Sequence, residues 1–304
     1  INFDNDPAGI YRECLRLLLF WIDKGVTIFR VDNPHTKPLQ FWRWLLAEIR
    51  AVHPEVLFLA EAFTRPEMMH ALGKVGYHQS YTYFTWRNEK DELAEYLTEL
   101  STEMAPFYRP NFFVNTPDIN PFHLQSGNPA IFAIRAILAA MLSPAWGVYS
   151  GFELFEHVPN APGREEYLDS EKYEYRPRDW AAAEESGRTL TPYLARLNEI
   201  RRAHPALHRL RNLTFHPTTN DKLLAFSKRE GDDVVLVVCT LDPHGAREGV
   251  VELDMPALGL HWSDNFAARD LVTGHTWVWG QHPYVRLDPH QHVAHIVHVR
   301  PGAV

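Results

Sequence analysis

The stretch GVTIFRVDNPHTKP, residues 25–38, runs from β-branched and aromatic residues into a polar loop bounded by prolines. Residues 26–31 predict a short strand that is covered on both faces, since most of them are apolar. Asp32 follows this strand immediately. Its position leaves two interpretations open: a catalytic carboxylate at the mouth of a barrel, or an acid that only caps a loop.

The chain on both sides of this stretch alternates helices and strands. Asp6 before Pro7 is a helix cap, and apolar residues at helical spacing predict helices over 7–24, 41–52, 65–72, 92–104, 128–142 and 181–203. Short apolar and aromatic runs predict further strands over 56–63, 79–84, 111–118 and 145–151. This alternation predicts a parallel sheet with right-handed crossovers. A flat doubly wound sheet is the alternative, but it would often carry a glycine-rich phosphate loop, which the sequence lacks.

Beyond about residue 208 the sequence changes character. Short alternating runs such as LLAFSKR, DVVLVVCTL and VAHIVHV are separated by Gly, Asp and Pro. This pattern is typical of an antiparallel β-sandwich. We therefore predict two domains, a partial (β/α)8 catalytic barrel over 1–207 and a C-terminal β-sandwich over 208–304.

Composition and charge are those of an ordinary globular chain. Of its 304 residues, 45% are hydrophobic and 22% are charged, and no apolar run reaches transmembrane length. The net charge of -8 argues against nucleic acid or an anionic membrane as a partner. Cys14 and Cys239 fall in different predicted domains, so no disulfide is expected and a reducing, cytoplasmic location fits. Because residue 1 is Ile, we expect the chain to be a piece of a longer protein.

Three of the predicted strands end on or near an acid, namely Asp32, Glu61 and Asp118. Such strand ends are where a (β/α)8 barrel carries its chemistry. Retaining chemistry at a glycosidic bond needs two carboxyl groups about 5 Å apart, and neighbouring parallel strands lie roughly 4.8 Å apart. Asp32 and Glu61 can meet this geometry, and Asp118 could face the same carbon from the other side. Strand-end acids also cap helices or pair with lysines, but three on one sheet favour catalysis.

The predicted surroundings of the first two acids differ. Arg30 points to the same face of its strand as Asp32 and favours the ionised carboxylate. Glu61 lies in FLAEAF, between alanines and aromatic residues. Such an apolar setting raises the pKa of a carboxyl group, as a general acid requires. The sequence therefore predicts opposite protonation preferences for the two carboxyl groups.

The segments FRVDN, FLAEAF and FFVNTPD resemble three signature regions of the α-amylase clan of glycoside hydrolases. AWGVYSGFE and RDLVTG extend this resemblance over essentially the whole chain. The resemblance implies that Asp32 is the nucleophile, Glu61 the general acid/base and Asp118 a stabiliser of the transition state. It also implies that Arg30 orients the nucleophile. Three earlier strands of the family have no counterpart, so the expected fold is the C-terminal part of a (β/α)8 barrel, with about five strands, followed by the sandwich.

Two departures from ordinary amylases narrow the resemblance. Asn33 stands where those enzymes have Ala, and Thr116-Pro117-Asp118 replaces Asn-His-Asp. With SEKYEYRPRDW, residues 170–180, these variants resemble the bacterial α-1,4-glucan:maltose-1-phosphate maltosyltransferases. The resemblance implies retaining transfer of a maltosyl unit from α-maltose 1-phosphate to the non-reducing end of an α-1,4-glucan. The expected course is a covalent aspartyl intermediate with no cofactor or metal.

The same resemblance implies roles for three binding residues. Asn33 is expected near the donor phosphate, and Lys172 and Tyr173 are expected to bind the donor sugar. An amide and an ammonium group are suitable donors to phosphate and hydroxyl oxygens. An ordinary surface loop is the alternative for Lys172 and Tyr173. A homodimer is left open.

Two other functions are compatible with these residues. One is an α-1,4-glucan hydrolase of the α-amylase type, and the other is a non-catalytic glucan-binding fragment. Because three barrel strands lack a counterpart, we expect the isolated chain to be poorly soluble or inactive, with the edge of strand 26–31 exposed.

His35 is expected to cap its loop rather than to contact sugar. The four histidines at 290, 292, 295 and 298 are expected on an ordinary sandwich surface without metal.

Overall fold

A computed structural model of the chain describes residues 1–171 and 175–301. The described chain divides into two compact units. Unit 1 comprises Ile1–Tyr83 and Thr102–Asn111, and unit 2 comprises Phe84–Ser101 and the described residues from Phe112 onwards. In the described ranges, no helix is both long enough and apolar enough to cross a membrane. The division into domains 1–207 and 208–304 stays a prediction.

Unit 1 alternates three helices with three parallel strands. In chain order these are α1 (Pro7–Asp23), β1 (Ile28–Asp32), α2 (Leu39–Val52), β2 (Leu57–Glu61), α3 (Pro66–Val75) and β3 (Gln79–Ser80). The strands pair in the order β1-β2-β3, with Asp32 opposite Glu61. Helix α1 begins as predicted, because the Asp6 carboxylate accepts a hydrogen bond from the backbone N–H of Gly9.

The core of unit 1 lies between its helices and its sheet. Helix α2 buries Phe41, Leu45 and Ile49, which recur at helical spacing. They share one apolar cluster with Phe58 and Ala60 of β2. This packing fixes the position of β2, and therefore also the position of its last residue, Glu61, at the carboxyl end of the sheet.

Strand β1 contradicts the prediction of a strand that is covered on both faces. Its residues alternate between exposed and half-buried, and Ile28 is 58% exposed. Among the described strands only β2 pairs with β1, which therefore forms the edge of its sheet. An apolar strand is buried only where neighbouring layers cover it, so apolar composition alone overstated the burial. The uncovered edge agrees with the sequence expectation.

The chain continues with α4 (Lys90–Ser101), β4 (Asn111–Phe113), α5 (Pro129–Leu142), β5 (Ala145–Gly147), α6 (Trp180–Glu185) and α7 (Thr191–Ala203). Helix α5 is buried nearly all round, including Arg135. The Arg135 guanidinium donates to the backbone carbonyls of Arg87 and Phe84, which offsets part of the cost of burying it, whereas its buried Nε has no partner among the described residues. This helix is the central element of the first part of unit 2.

Several predicted elements differ from those observed. The single helix predicted over 181–203 is two helices, because Gly187 takes a left-handed conformation with φ +68° and Pro192 lies in the first turn of α7. The strand predicted over 79–84 is only two residues long, and Tyr83–Trp86 form a 3-10 turn. The strands predicted over 111–118 and 145–151 are also shorter.

The last part of unit 2 is mainly β-structure, with one 3-10 turn at Pro256–Leu258. Its strands are β6 (Leu213–His216), β7 (Leu223–Glu230), β8 (Asp233–Thr240), β9 (Arg247–Val250), β10 (Phe266–Asp270), β11 (Thr276–Trp279), β12 (Tyr284–Leu287) and β13 (Ala294–Pro301). Six of them form an antiparallel sheet in the order β11-β10-β13-β8-β7-β6, and β12 pairs with β9. Leu236, Phe266 and Val285 from both sheets share one buried cluster, as a sandwich requires. The predicted antiparallel sandwich is confirmed.

Candidate active site

The pairing of β1 with β2 places two carboxyl groups side by side. Asp32 and Glu61 end their strands in the same register, so both lie at the carboxyl edge of the sheet. The backbone N–H of Asn33 donates to the carbonyl oxygen of Glu61 at 3.1 Å, which continues the ladder one residue further. It also lies 3.4 Å from Oε2 of the Glu61 side chain. The sequence prediction that these acids share one edge is therefore realised in the geometry of unit 1.

Arg30 lies between the two carboxyl groups. Its Nη1 is 3.5 Å from Oδ1 of Asp32, and its Nη2 is 3.5 Å from Oε1 of Glu61. The guanidinium also lies over the ring of Tyr81, with its central carbon 5.9 Å from the centroid. Because the Arg30 side chain is 38% exposed, each ion pair adds little stability. Its effect is positional: one cation faces both acids from a fixed strand.

The two acids differ sharply in solvent contact. The side chain of Asp32 is 67% exposed, whereas that of Glu61 is 8% exposed. The arrangement offers an accessible carboxylate and a shielded carboxyl group next to each other.

Asn33 occupies a backbone position that few residues tolerate. Its φ of +46° lies in the left-handed region, where Asn is favoured over other residues that carry a Cβ. Its Nδ2 donates to Oδ1 of Asp32 at 3.3 Å, and its carbonyl oxygen accepts from Oγ1 of Thr36 at 2.8 Å. The amide therefore lies directly beside the carboxylate of Asp32.

His35 lies in the same loop as Asn33. Its Nδ1 is buried and makes no hydrogen bond within the described part of the chain. The loop is anchored elsewhere, since the indole N–H of Trp42 donates to the carbonyl oxygen of Pro34 at 2.8 Å. The prediction that His35 caps its loop therefore finds no supporting bond at this nitrogen.

Asp118 belongs to unit 2 and lies in a tight turn. Thr116 and Ile119 exchange backbone hydrogen bonds of 3.0 and 3.1 Å, and the N–H of Asp118 donates to Oγ1 of Thr116 at 3.1 Å. The neighbouring Asn115 is fully buried and donates from Nδ2 to the hydroxyl of Tyr167 at 2.8 Å. Backbone hydrogen bonds and the buried side chain of Asn115 therefore stabilise the turn, and Asp118 itself is half-buried.

Sequence reasoning missed a charged network in unit 2 that flanks the predicted sugar-binding segment. Arg178 donates to Glu156 through Nε at 2.8 Å and Nη2 at 3.1 Å, and its Nη1 lies 3.1 Å from Glu171. The hydrogen bond to Glu156 raises the pKa of Arg178 above its ordinary value. Tyr149 donates from its hydroxyl to Glu171 at 3.2 Å. The segment SEKYEYRPRDW contains both Glu171 and Arg178, but nothing in it indicates Glu156, which lies 22 residues before Arg178.

This network requires a glycine at one point. Gly151 has a φ of +99°, and a Cβ at this position would collide with the carboxylate of Glu156. Glu171 is the last described residue before residue 175. Lys172 and Tyr173, the predicted sugar-binding pair, lie outside the described residues. The network therefore holds Glu171, the residue that directly precedes this pair in the sequence.

Comparison with known proteins shows which families and enzymes this chain resembles. The family described as "GLGE, C-terminal" matches residues 215–299. Maltosyltransferase 2 of Streptomyces coelicolor, named alpha-1,4-glucan:maltose-1-phosphate maltosyltransferase, is 59% identical over 300 residues, which is 99% of this chain and 45% of that protein. The enzyme of the same name from Mycobacterium tuberculosis is 54% identical over 301 residues, 98% of this chain and 43% of its own length.

The chain is similar to the α-1,4-glucan:maltose-1-phosphate maltosyltransferases over nearly its whole length. It spans less than half the length of these curated maltosyltransferases. Among solved structures, the α-amylase of Geobacillus thermoleovorans superposes with a TM-score of 0.73 at 15% identity, over 98% of this chain and 65% of that one. The α-amylase of H. orenii gives a TM-score of 0.73 at 13% identity, again over 98% and 65%. The expected α-amylase fold is confirmed, and the roles of individual site residues stay predictions.

Proposed function

We propose that this chain carries the catalytic carboxyl groups of a maltosyltransferase. The reaction is transfer of a maltosyl unit from α-maltose 1-phosphate to the non-reducing end of an α-1,4-glucan. The observation that carries the proposal is the pairing of Asp32 with Glu61 across β1 and β2, with Arg30 within 3.5 Å of both. The printed names of the homologues support the choice of donor and acceptor.

In the first half of the reaction Asp32 attacks the anomeric carbon of the donor. The bond from that carbon to the phosphate oxygen breaks, its electron pair leaves with the phosphate, and Glu61 supplies the proton. The exposure of Asp32 suits a group that must reach substrate, and the shielding of Glu61 suits a group that holds a proton. The product is a maltosyl ester on Asp32.

In the second half the acceptor replaces the phosphate. Glu61, now a carboxylate, removes the proton from the 4-hydroxyl of the glucan, and the hydroxyl oxygen attacks the anomeric carbon. Asp32 leaves as a carboxylate, so two displacements retain the α configuration. Arg30 faces both acids throughout and offsets the charge that passes between them.

The remaining predicted residues act on the donor. Asn33 lies beside Asp32 and offers an amide N–H to a phosphate oxygen of the departing group. We propose Asp118 as the acid that stabilises positive charge on the sugar in the transition state. Lys172 and Tyr173 are proposed to bind the donor sugar. The cytoplasmic location, the homodimer and the absence of nucleic acid and membrane as partners stay predictions.

The test is a donor-dependent transfer assay on the protein that contains this chain. Incubation with α-maltose 1-phosphate and glycogen should release phosphate while the glucan grows by two glucose units at a time. Asp32→Ala should abolish phosphate release, and Glu67→Gln, which changes an exposed acid of α3, should leave it unchanged. Reducing ends formed from starch without donor would instead indicate a hydrolase. Unchanged turnover by Asp32→Ala would exclude the assigned nucleophile.

A further inference from the structure

His204, Asp233 and His298 form a compact cluster in unit 2 that the proposed transfer does not use. One potential ligand atom of each residue lies within 4.8 Å of those of the other two. Nδ1 of His204 is 2.7 Å from Oδ1 of Asp233, and Nε2 of His298 is 3.8 Å from the same oxygen. The two imidazole rings meet edge to face, with centroids 4.8 Å apart. Two imidazoles therefore converge on one carboxylate oxygen.

Three different elements supply these side chains. His204 directly follows α7, Asp233 opens β8, and His298 lies in β13, which pairs with β8. Each residue is on or next to a regular element of the same unit. Their separation is consequently set by backbone hydrogen bonds and packing, as a preorganised site requires.

The spacing suits a small divalent transition metal. Metal–ligand bonds of about 2.0–2.1 Å at tetrahedral angles hold the ligand atoms about 3.3 Å apart. The observed separations of 2.7 and 3.8 Å lie on either side of that value. Imidazole nitrogen and carboxylate oxygen are ligands that Zn²⁺ and Co²⁺ accept, and a set of three leaves a fourth position for water.

The carboxylate is already oriented for this role. Oδ2 of Asp233 accepts a hydrogen bond from the backbone N–H of Ala206 at 2.9 Å, which leaves Oδ1 to face the two histidines. The side chains of Asp233 and His298 are 18% and 23% exposed, and His204 is buried. Hydrogen bonds that orient a ligand, together with limited solvent access, strengthen a metal site.

Two cations work against metal binding at this cluster, namely Arg300 and Arg269, which lies opposite His298 in the pairing of β10 with β13. Nε of Arg300 lies 3.4 Å from Nδ1 of His298. A metal ion on Nε2 of His298 requires a proton on Nδ1, so the Arg300 donor has to turn away. Arg300 is exposed, and its side chain can turn into solvent. Its positive charge should nevertheless weaken the site, which provides a test with a defined direction.

We propose that His204, Asp233 and His298 bind one divalent transition-metal ion of the zinc class, with water as the fourth ligand. The ion joins the end of α7 to β8 and β13. This site is independent of the transfer reaction and departs from the sequence expectation of no metal near residue 298.

The experiment is a titration of the purified protein that contains this chain with Co²⁺, followed by visible absorption, and with Zn²⁺, followed by thermal unfolding. The wild type should develop the absorption of a four-coordinate cobalt site and melt at higher temperature with zinc. His298→Ala should weaken binding by at least about tenfold. His292→Ala, which removes an exposed histidine outside the cluster, should bind like the wild type, and Arg300→Gln should bind more tightly.

His298→Ala leaves the bonds from Asp233 to His204 and Ala206 in place, so its fold should persist, and circular dichroism before titration checks this. Should it fail to fold, the tighter binding expected of Arg300→Gln decides instead. Absence of a cobalt spectrum and of a zinc-induced thermal shift in the wild type would overturn the proposal. Equal binding by the wild type and His298→Ala would overturn it as well.

Discussion

Replacement of Lys228 by Met should stabilise the protein and remove part of its pH dependence. Lys228 lies in β7 with no exposed surface, and its Nζ is 3.5 Å from the carbonyl oxygen of Leu142. Burial, together with the charge of Arg201, lowers the pKa of Lys228 from 10.5 to about 7. Each pKa unit corresponds to about 1.4 kcal/mol, so the penalty for burying this amine is at most about 5 kcal/mol near neutral pH. Relaxation of the surroundings reduces the expected gain to a few kcal/mol.

The sign of the pH effect follows from the two pKa values. Above about pH 7 the folded state holds a neutral amine, whereas the unfolded chain stays protonated up to about pH 10.5. The unfolded state therefore binds more protons in this window, and stability rises with pH by about 2 kcal/mol between about pH 7 and pH 9. Below about pH 7 the full penalty remains.

Urea titrations at several pH values in this window, followed by tryptophan fluorescence, measure the effect. The rise with pH should be smaller in Lys228→Met by the amount that this amine contributes, and other titrating groups cancel in the comparison. Lys222→Met is the matched control, since Lys222 is exposed and pairs with Glu89 at 2.6 Å. The reasoning is wrong if Lys228→Met and the wild type show the same dependence on pH.

Two further predictions concern β1 and the loop that follows it. Asn33→Ala should lower the free energy of unfolding by about 1 kcal/mol, because an alanine is strained in the left-handed region. Asn33→Gly should lose less at the observed φ of +46°, and equal losses in urea titration would contradict this explanation. Ile28→Lys should raise the soluble fraction of the chain after centrifugation, because a charge on the open edge of β1 opposes strand pairing between molecules. Val52→Lys, at a position that is 67% exposed in α2, should have a smaller effect, and an equal gain would refute the role of the edge.

The elements that the sequence predicted well share a clear local signal. Helix α2 has an apolar face at helical spacing, and α1 has a cap at Asp6, so both were expected close to their observed positions. The strands β3, β4 and β5 were predicted to be longer than they are, because an apolar run does not show where strand pairing ends. The helix predicted over 181–203 failed at Gly187, whose left-handed backbone ends α6.

The candidate site was predictable where it depends on position within strands. Asp32 and Glu61 end neighbouring strands, and parallel pairing alone places such ends together. The bond network of Arg178 with Glu156 and Glu171 was not predictable, since no local pattern indicates which distant carboxylates an arginine meets. The burial of Lys228 was not predictable either. A lysine in a run of alternating apolar and polar residues gives no sign that its side chain is buried, yet β7 buries its first six residues.

The sequence by itself determined the alternation of helices and strands, the antiparallel sandwich and the positions of Asp32 and Glu61 at strand ends, because these depend on patterns within a few residues. Asp118 was also predicted at a strand end, but β4 stops at Phe113 and Asp118 lies in the turn beyond it. Only the tertiary structure decided that Arg30 faces Glu61 as well as Asp32, with one nitrogen 3.5 Å from each acid. It alone brought His204 and His298 onto the carboxylate of Asp233. The physical reason is that burial, charge pairing and ligand spacing arise between segments that are distant in the chain, and packing sets those distances.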